Sequence, residues 1–157
     1  MNKPQKKVQY IKKSSYYFPY HIDIKIISGE KIIQYLQKRV KLIYTFNTNT
    51  KHSIKFGLNS IINFINKKKI TNKTLAFIFY NENMESLYDL LLLKNKENNN
   101  RNIRIIFLDE EYLKEFIDIF KIKSCMGFLI NKIQSNEKVF DEIENNLSQY
   151  IIDSISN

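Results

Sequence analysis

The chain reads as an α/β protein, a three-layer α/β/α sandwich, and three observations carry that reading. Short apolar runs without polar alternation, LAFIFY at 75–80, IRIIFL at 103–108 and CMGFLI at 125–130, have the composition of strands covered on both faces. Between them lie stretches whose apolar residues recur at i, i+3, i+4 and i+7, the spacing of an amphipathic helix. With 157 residues, 43% hydrophobic and 26% charged, there is enough apolar material for one core. Doubly covered strands that alternate with helices put helices on both sides of a single sheet.

Residues 1–20 form a basic, aromatic lead, and 21–157 the folded domain. From Ser28 to Ile43, the residues Ile33, Leu36, Val40 and Ile43 fall three and four apart, with Ser28 placed to cap a first helix. The polar run NTNTKH, 47–52, breaks it. SIKF is a brief extended piece leading to Gly57, and Leu58, Ile61, Ile62 and Ile65 then define a second helix. It runs into Lys67, Lys68 and Lys69, cations that suit a helix C-terminus. LAFIFY is a central strand, followed by Asn83 as the cap of a helix from Met84 to about Leu93. The low-complexity run KNKENNNRN reads as a surface loop. IRIIFL is a second buried strand, Asp109 caps a helix bearing Leu113, Phe116, Ile117 and Phe120, and CMGFLI is a third strand. A closing helix from about Asn136 carries Phe140, Ile143, Leu147, Tyr150 and Ile151 on one face. The strand-to-helix turns are expected to share one sheet edge, where ligands of such folds bind, and Gly57 is one of those turns.

Charge is divided along the chain. Met1 to Lys73 holds 16 Lys and Arg against two acids, a net of +14, whereas Thr74 to Asn157 holds 9 against 14, a net of −5. A field that uneven draws a polyanion to one part of the surface. RNA or DNA fits better than a membrane surface, because the basic segments lack an amphipathic Trp or Phe face. The single cysteine, Cys125, sits in an apolar run, reads as an inert core residue and suits a reducing compartment. The basic N-terminus has no apolar segment behind it, and the longest apolar runs are too short to span a bilayer, so no membrane association is expected.

Several chemistries have no basis in these residues. With glycines only at 29, 57 and 127, neither G-x-G-x-x-G nor G-x-x-x-x-G-K can be assembled, and no cofactor is expected. His21 and His52 have no Cys or carboxylate at metal-ligand spacing. Asp109, Glu110 and Glu111 form the usual cap and first-turn acids of a helix rather than a metal cluster. Catalysis by this chain is not expected.

GLNSIINFI, LAFIFYNENMESLYDLLLL, IRIIFL, DEEYLKEFIDIFKIKSCMGFLI and the closing amphipathic helix together resemble the kink-turn-binding ribosomal protein superfamily. Within it, the basic lead KKVQYIKKSSYYFPYHIDI is most similar to protein subunits of ribonuclease P and ribonuclease MRP, of the fungal processing-of-precursor-RNAs type and their animal relatives. The resemblance runs from about Ser28 to Asn157 and implies a small mixed sheet and a non-catalytic role in tRNA and rRNA precursor processing. It implies structured non-coding RNA and other protein subunits as partners, and a nuclear, nucleolar location. In that superfamily, Gly-x-Asn-Glu opens the RNA-contacting helix and a Lys lies three residues further on. Gly57 and Asn59 match, while Ser60 stands at the Glu position and Asn63 at the Lys position.

Physically, glycine lets the backbone approach a phosphate, the first-turn N–H groups point at it, and the Asn59 amide both donates to and accepts from base edges. Lys51 and Lys55 lead into this turn. An ordinary reading is also open: Gly57 ends a strand and Asn59 or Ser60 caps a helix. A second element implied by the resemblance is the loop FKIKSC, where Lys121 and Lys123 offer phosphate contacts and Ile122 packs on a base or sugar; solvated lysines around a buried Ile are the plain alternative. In the lead, Lys6, Lys7, Lys12 and Lys13, interleaved with Tyr10, Tyr16, Tyr17 and Phe18, suit stacking on unpaired bases or folding against a partner subunit. A ribosomal or small-nucleolar kink-turn protein, or a protein-interaction module without direct RNA contact, are the competing functions.

Overall fold

A computed structural model describes residues 24–45, 53–67, 70–97 and 102–151. Among them the order is β1 (Ile26–Ile27), α1 (Glu30–Thr45), β2 (Ile54–Phe56), α2 (Leu58–Ile65), β3 (Thr74–Tyr80), α3 (Glu85–Glu97), β4 (Ile103–Asp109), α4 (Leu113–Phe120), β5 (Gly127–Asn131) and α5 (Glu137–Asn146). The lead 1–20 and the run 47–52 lie outside the described residues.

The strands' alternation sets the layers. β3 turns Leu75, Phe77 and Phe79 to one face, where Ile33, Leu36 and Val40 of α1, Phe116 and Phe120 of α4, and Phe140 and Ile143 of α5 meet them. Ala76 and Ile78 point the other way, toward Ile61 and Ile65 of α2 and Tyr88, Leu91 and Leu92 of α3. This is a three-layer α/β/α arrangement, as the doubly covered runs predict. On the first face Phe77 stacks on Phe128 at 4.9 Å, and Phe120 meets Phe128 edge-on at 5.0 Å. Burying each such ring is worth about 1.5–3 kcal/mol. An exposed ion pair such as Arg39–Glu142, 3.1 Å apart, contributes at most about 1 kcal/mol. The core therefore decides the fold.

The sheet is mixed, in the order β1-β4-β3-β5-β2. β3 and β4 pair in parallel from Thr74↔Ile103 to Tyr80↔Asp109, and β1 is parallel to β4. β5 runs antiparallel to β3, with Ile78 opposite Gly127, and β2 runs antiparallel to β5. Four strands therefore point one way and end at one edge, while β5 alone begins there. The expectation of a shared edge holds for β1, β2, β3 and β4; α5 instead starts from the opposite edge.

Element boundaries differ from the sequence reading in four places, each for a local reason. α1 starts after Ser28: the Gly29 carbonyl accepts the first helical bond from Ile33 N–H, and the Ser28 carbonyl accepts from the Tyr112 hydroxyl. Asn81, not Asn83, caps the chain entering α3: its Oδ1 accepts the Asn83 N–H at 2.9 Å, and a 3-10 turn, Glu82–Met84, precedes the helix. α3 continues through Lys94 to Glu97, because Asn95 is buried and donates to the Ile103 carbonyl of β4. β5 begins at Gly127 rather than Cys125, since residues up to Met126 form the loop that enters the sheet edge. No helix of the described residues is long and apolar enough to cross a membrane.

Gly127 makes the insertion of β5 possible. A Cβ there would lie 2.6 Å from the Phe77 carbonyl oxygen and 3.0 Å from Ile61. Because the first neighbour is backbone in the central strand, relief requires moving the sheet itself. Gly127→Ala is expected to destabilise the protein by about 1–3 kcal/mol, read as a lowered urea midpoint. An unchanged midpoint would show that the strands can separate without cost.

Candidate nucleic-acid interface

Three strand-to-helix turns of known capping lie at the shared edge, and they are built differently. After β3, the Asn81 side chain accepts its own turn's N–H and Glu82 follows; after β4, Asp109 accepts from Glu111 at 3.1 Å and two glutamates follow. After β2, Gly57 occupies the N-cap with φ 96°, no side chain caps the helix, and no acid stands in its first turn. A carboxylate or carboxamide placed at either of the first two turns occupies the amides an anion would need. Only the β2–α2 turn leaves them open and unopposed.

Gly57 is fixed on both sides. Its N–H donates to the Gly127 carbonyl at 2.8 Å, and its carbonyl accepts from Ile61 N–H at 3.4 Å. Among the described residues nothing accepts from the N–H groups of Leu58, Asn59 or Ser60. A Cβ on Gly57 would meet nothing within 4 Å, so the space before the turn is open and the demand for glycine comes from its positive φ.

Neither Asn59 nor Ser60 is the cap that the ordinary reading allows. Asn59 is exposed, as is Asn63 one turn on, so their carboxamides form a row along the outer side of α2. Ser60 instead donates its hydroxyl to the Phe56 carbonyl at 2.7 Å, which holds it against its own strand.

The loop before β5 reaches the same corner because β5 starts at this edge. The Met126 carbonyl accepts from Phe79 N–H at 2.9 Å, and Phe120 packs edge-on against Phe56, centroids 4.7 Å apart. Tyr44 donates to the Phe120 carbonyl at 2.9 Å, locking the end of α4. Lys121 and Lys123 are exposed on this loop, while Ile122 is half-buried against the first-face core, so only part of it faces outward. Lys121 adopts the left-handed conformation, φ 57° and ψ 43°, and its N–H closes the helix on the Ile117 carbonyl. Glycine or asparagine usually fills that position, and a lysine there costs about 1–2 kcal/mol of backbone strain.

The structure thus brings Gly57, Asn59, Asn63, Lys121 and Lys123 to one corner. Lys55 lies elsewhere: on β2 it points to the α2 face and lines a cleft toward the far end of that helix. Lys6, Lys7, Lys12, Lys13 and Lys51 are outside the described residues. Sequence reasoning missed the strained Lys121 backbone, for which side-chain pattern gives no signal, and the cleft, which forms from segments far apart in the chain.

Burial raises the pKa of the Cys125 thiol above its ordinary value, as expected of an inert core cysteine. Among the described residues no three His, Cys, Asp or Glu side chains converge on one point. Comparison with known proteins gives no match: no family model, curated protein or solved structure is significantly similar to the chain.

Two outcomes test the local argument. Gly57→Ala should destabilise by about 1–2 kcal/mol through its backbone angle alone, whereas Asn59→Ala, removing no cap, should shift unfolding by no more than about 0.5 kcal/mol. A larger loss for Asn59→Ala in urea unfolding would restore the cap reading. Separately, the raised pKa keeps Cys125 protonated further into the alkaline range than a free thiol, so iodoacetamide labelling of the native protein should be slow at neutral pH and rise late with pH.

Proposed function

We propose that the β2–α2 corner binds structured RNA, with the first-turn amides of α2 on a phosphate, the Asn59 carboxamide on a base edge, and Lys121 and Lys123 on the adjoining backbone. The observation that carries this reading is the contrast at the shared edge: one uncapped, acid-free turn beside two that cap themselves and carry acids. An anion is drawn to the first and repelled by the others. The RNA then lies over the β2–β5 half of the edge, and the acidic half near Glu82, Glu110 and Glu111 is left for a basic neighbour such as another protein subunit.

The finer reading is a kink-turn-protein-like fold acting as a non-catalytic subunit of ribonuclease P or ribonuclease MRP, in the nucleus and nucleolus. The resemblance noted in the sequence supports it, as does the meeting of the Gly57 turn with the 121–126 loop at one corner. In such a particle the cutting belongs to the RNA, so the protein's task is to hold a fold. Ser60, tied to the Phe56 carbonyl, supplies no carboxylate for G·A pairs. Recognition therefore leans on main-chain amides and Asn59, which grip shape and backbone more than sequence.

Purifying the protein from its own cells and sequencing the associated RNA should return the ribonuclease P or MRP RNA; recovery of no RNA, or of ribosomal RNA alone, would remove that assignment. Affinity for the recovered RNA should fall on the order of a thousandfold between about 50 and 200 mM salt if roughly six phosphates are contacted. Lys121→Gly separates structure from function at one residue: relief of the left-handed strain should stabilise the fold by about 1 kcal/mol, while RNA affinity drops. Stabilisation with unchanged affinity would reduce Lys121 to a helix terminator.

A further inference from the structure

At the far end of α2 from Gly57 lies a cleft of about 340 Å³, walled by Lys55 of β2, Phe64 and Lys67 around the end of α2, and Asn131 at the end of β5. That volume is at the small end of ligand pockets. No carboxylate lines it. Neither Lys55 nor Lys67 makes an ion pair among the described residues, although lysines elsewhere do: Lys73 meets Glu144 and Lys132 meets Asp141. Lys67 is nonetheless held in place, its ammonium 4.7 Å from the centre of the Phe64 ring. The Asn131 Oδ1 accepts from the Thr74 hydroxyl at 2.8 Å, which fixes the amide and leaves its NH₂ for the cleft. The negative end of the α2 dipole is partly answered here, since the Ile62 and Phe64 carbonyls accept from Asn66 and Lys67 N–H. Two unopposed cations and a fixed donor around a small polar hollow make a receptor for a phosphate rather than for an apolar group.

We infer that this cleft is a second phosphate site on the same RNA, reached by the strand that leaves the Gly57 corner and runs along the Asn59–Asn63 row. The inference rests on the RNA reading proposed above. α2 has eight residues and is about 12 Å long, close to the rise of roughly three to four stacked nucleotides. The corner holds one end of that segment, the cleft holds the other, and α2 is a ruler between them. Lys55 thereby contributes to RNA binding from the opposite end of the helix, not from the turn it precedes in sequence.

The test titrates a fluorescein-labelled RNA hairpin containing a kink turn over a salt series against the full chain and two double variants. In Lys55→Gln/Lys67→Gln, the slope of log affinity against log salt should shrink by roughly 2, about 0.9 per lost phosphate contact. Lys114→Gln/Lys138→Gln, the same charge change on α4 and α5, should leave the slope unchanged. Equal slopes for the cleft variant and the unaltered protein, with Asn59→Ala still weakening binding, would discard the cleft and keep the corner. An equal fall in both double variants would also discard it, assigning the effect to overall charge. Absence of salt-dependent binding by the unaltered chain would overturn both. All substituted lysines but Lys67 are exposed and unpaired, and Lys67 loses only a ring contact, so circular dichroism should confirm that each variant remains folded.

Discussion

β5 lies between β3 and β2 and runs against both, and the corner exists because of that reversal. A parallel strand in the same place would enter from the opposite edge and carry the 121–126 loop away from Gly57. Running antiparallel, β5 begins at the edge where β2 and β3 end, and its entry is stitched on both sides: Gly57 N–H to the Gly127 carbonyl, Phe79 N–H to the Met126 carbonyl. Gly127 is the point of closest approach, with the Phe77 carbonyl where a side chain would begin. Two glycines thus serve one junction for different reasons. Gly127 removes a clash in the sheet, and Gly57 supplies a backbone angle before an open space.

Much of the architecture was legible because buried surfaces leave a periodic trace. Ile33, Leu36, Val40 and Ile43 are each no more than 2% exposed, as their spacing along one helix face requires. The run 75–80 fills the central strand because all its residues but Tyr80 are buried between two helical layers. Strand direction was not legible: an apolar run such as CMGFLI has the same composition whichever way it runs, and pairing is decided by segments distant in sequence. The start of α3 was misread for a related reason. Asn81 and Asn83 are equivalent as local caps, and the choice falls to Tyr88, whose hydroxyl donates to the Phe79 carbonyl and accepts the Asn81 N–H. At the candidate site, Gly57 and Asn59 were visible as a motif, but that they stay uncapped, and that Lys121 is left-handed, depends on backbone geometry no spacing encodes.

Charge behaves differently in the fold than in the sequence. The described residues hold 16 of the 25 Lys and Arg but 14 of the 16 Asp and Glu, so the described part of the molecule is close to neutral. Attraction of a polyanion to the corner therefore cannot come from a uniform positive field. It depends on local arrangement: acids concentrated after β3 and β4, and none in the first turn of α2. At an ionic strength near physiological, exposed charges beyond about 8 Å are largely screened, which makes local placement count for more than the total.

Lys121 supplies an independent reason to regard the corner as more than a structural joint. A fold selected for stability alone would place glycine or asparagine where the chain turns left-handed after α4, and nothing in the packing requires a long cation there: the side chain is exposed and the closing bond uses only backbone. The strain is tolerated because Tyr44, Phe56 and Phe128 clamp Phe120 from three sides, so the turn cannot relax without unseating the end of α4. A rigid aromatic clamp beneath a strained, solvent-facing lysine fixes the direction in which that charge leaves the surface. Such fixing is of little use to an isolated domain and of direct use to one that must meet a phosphate at a set position.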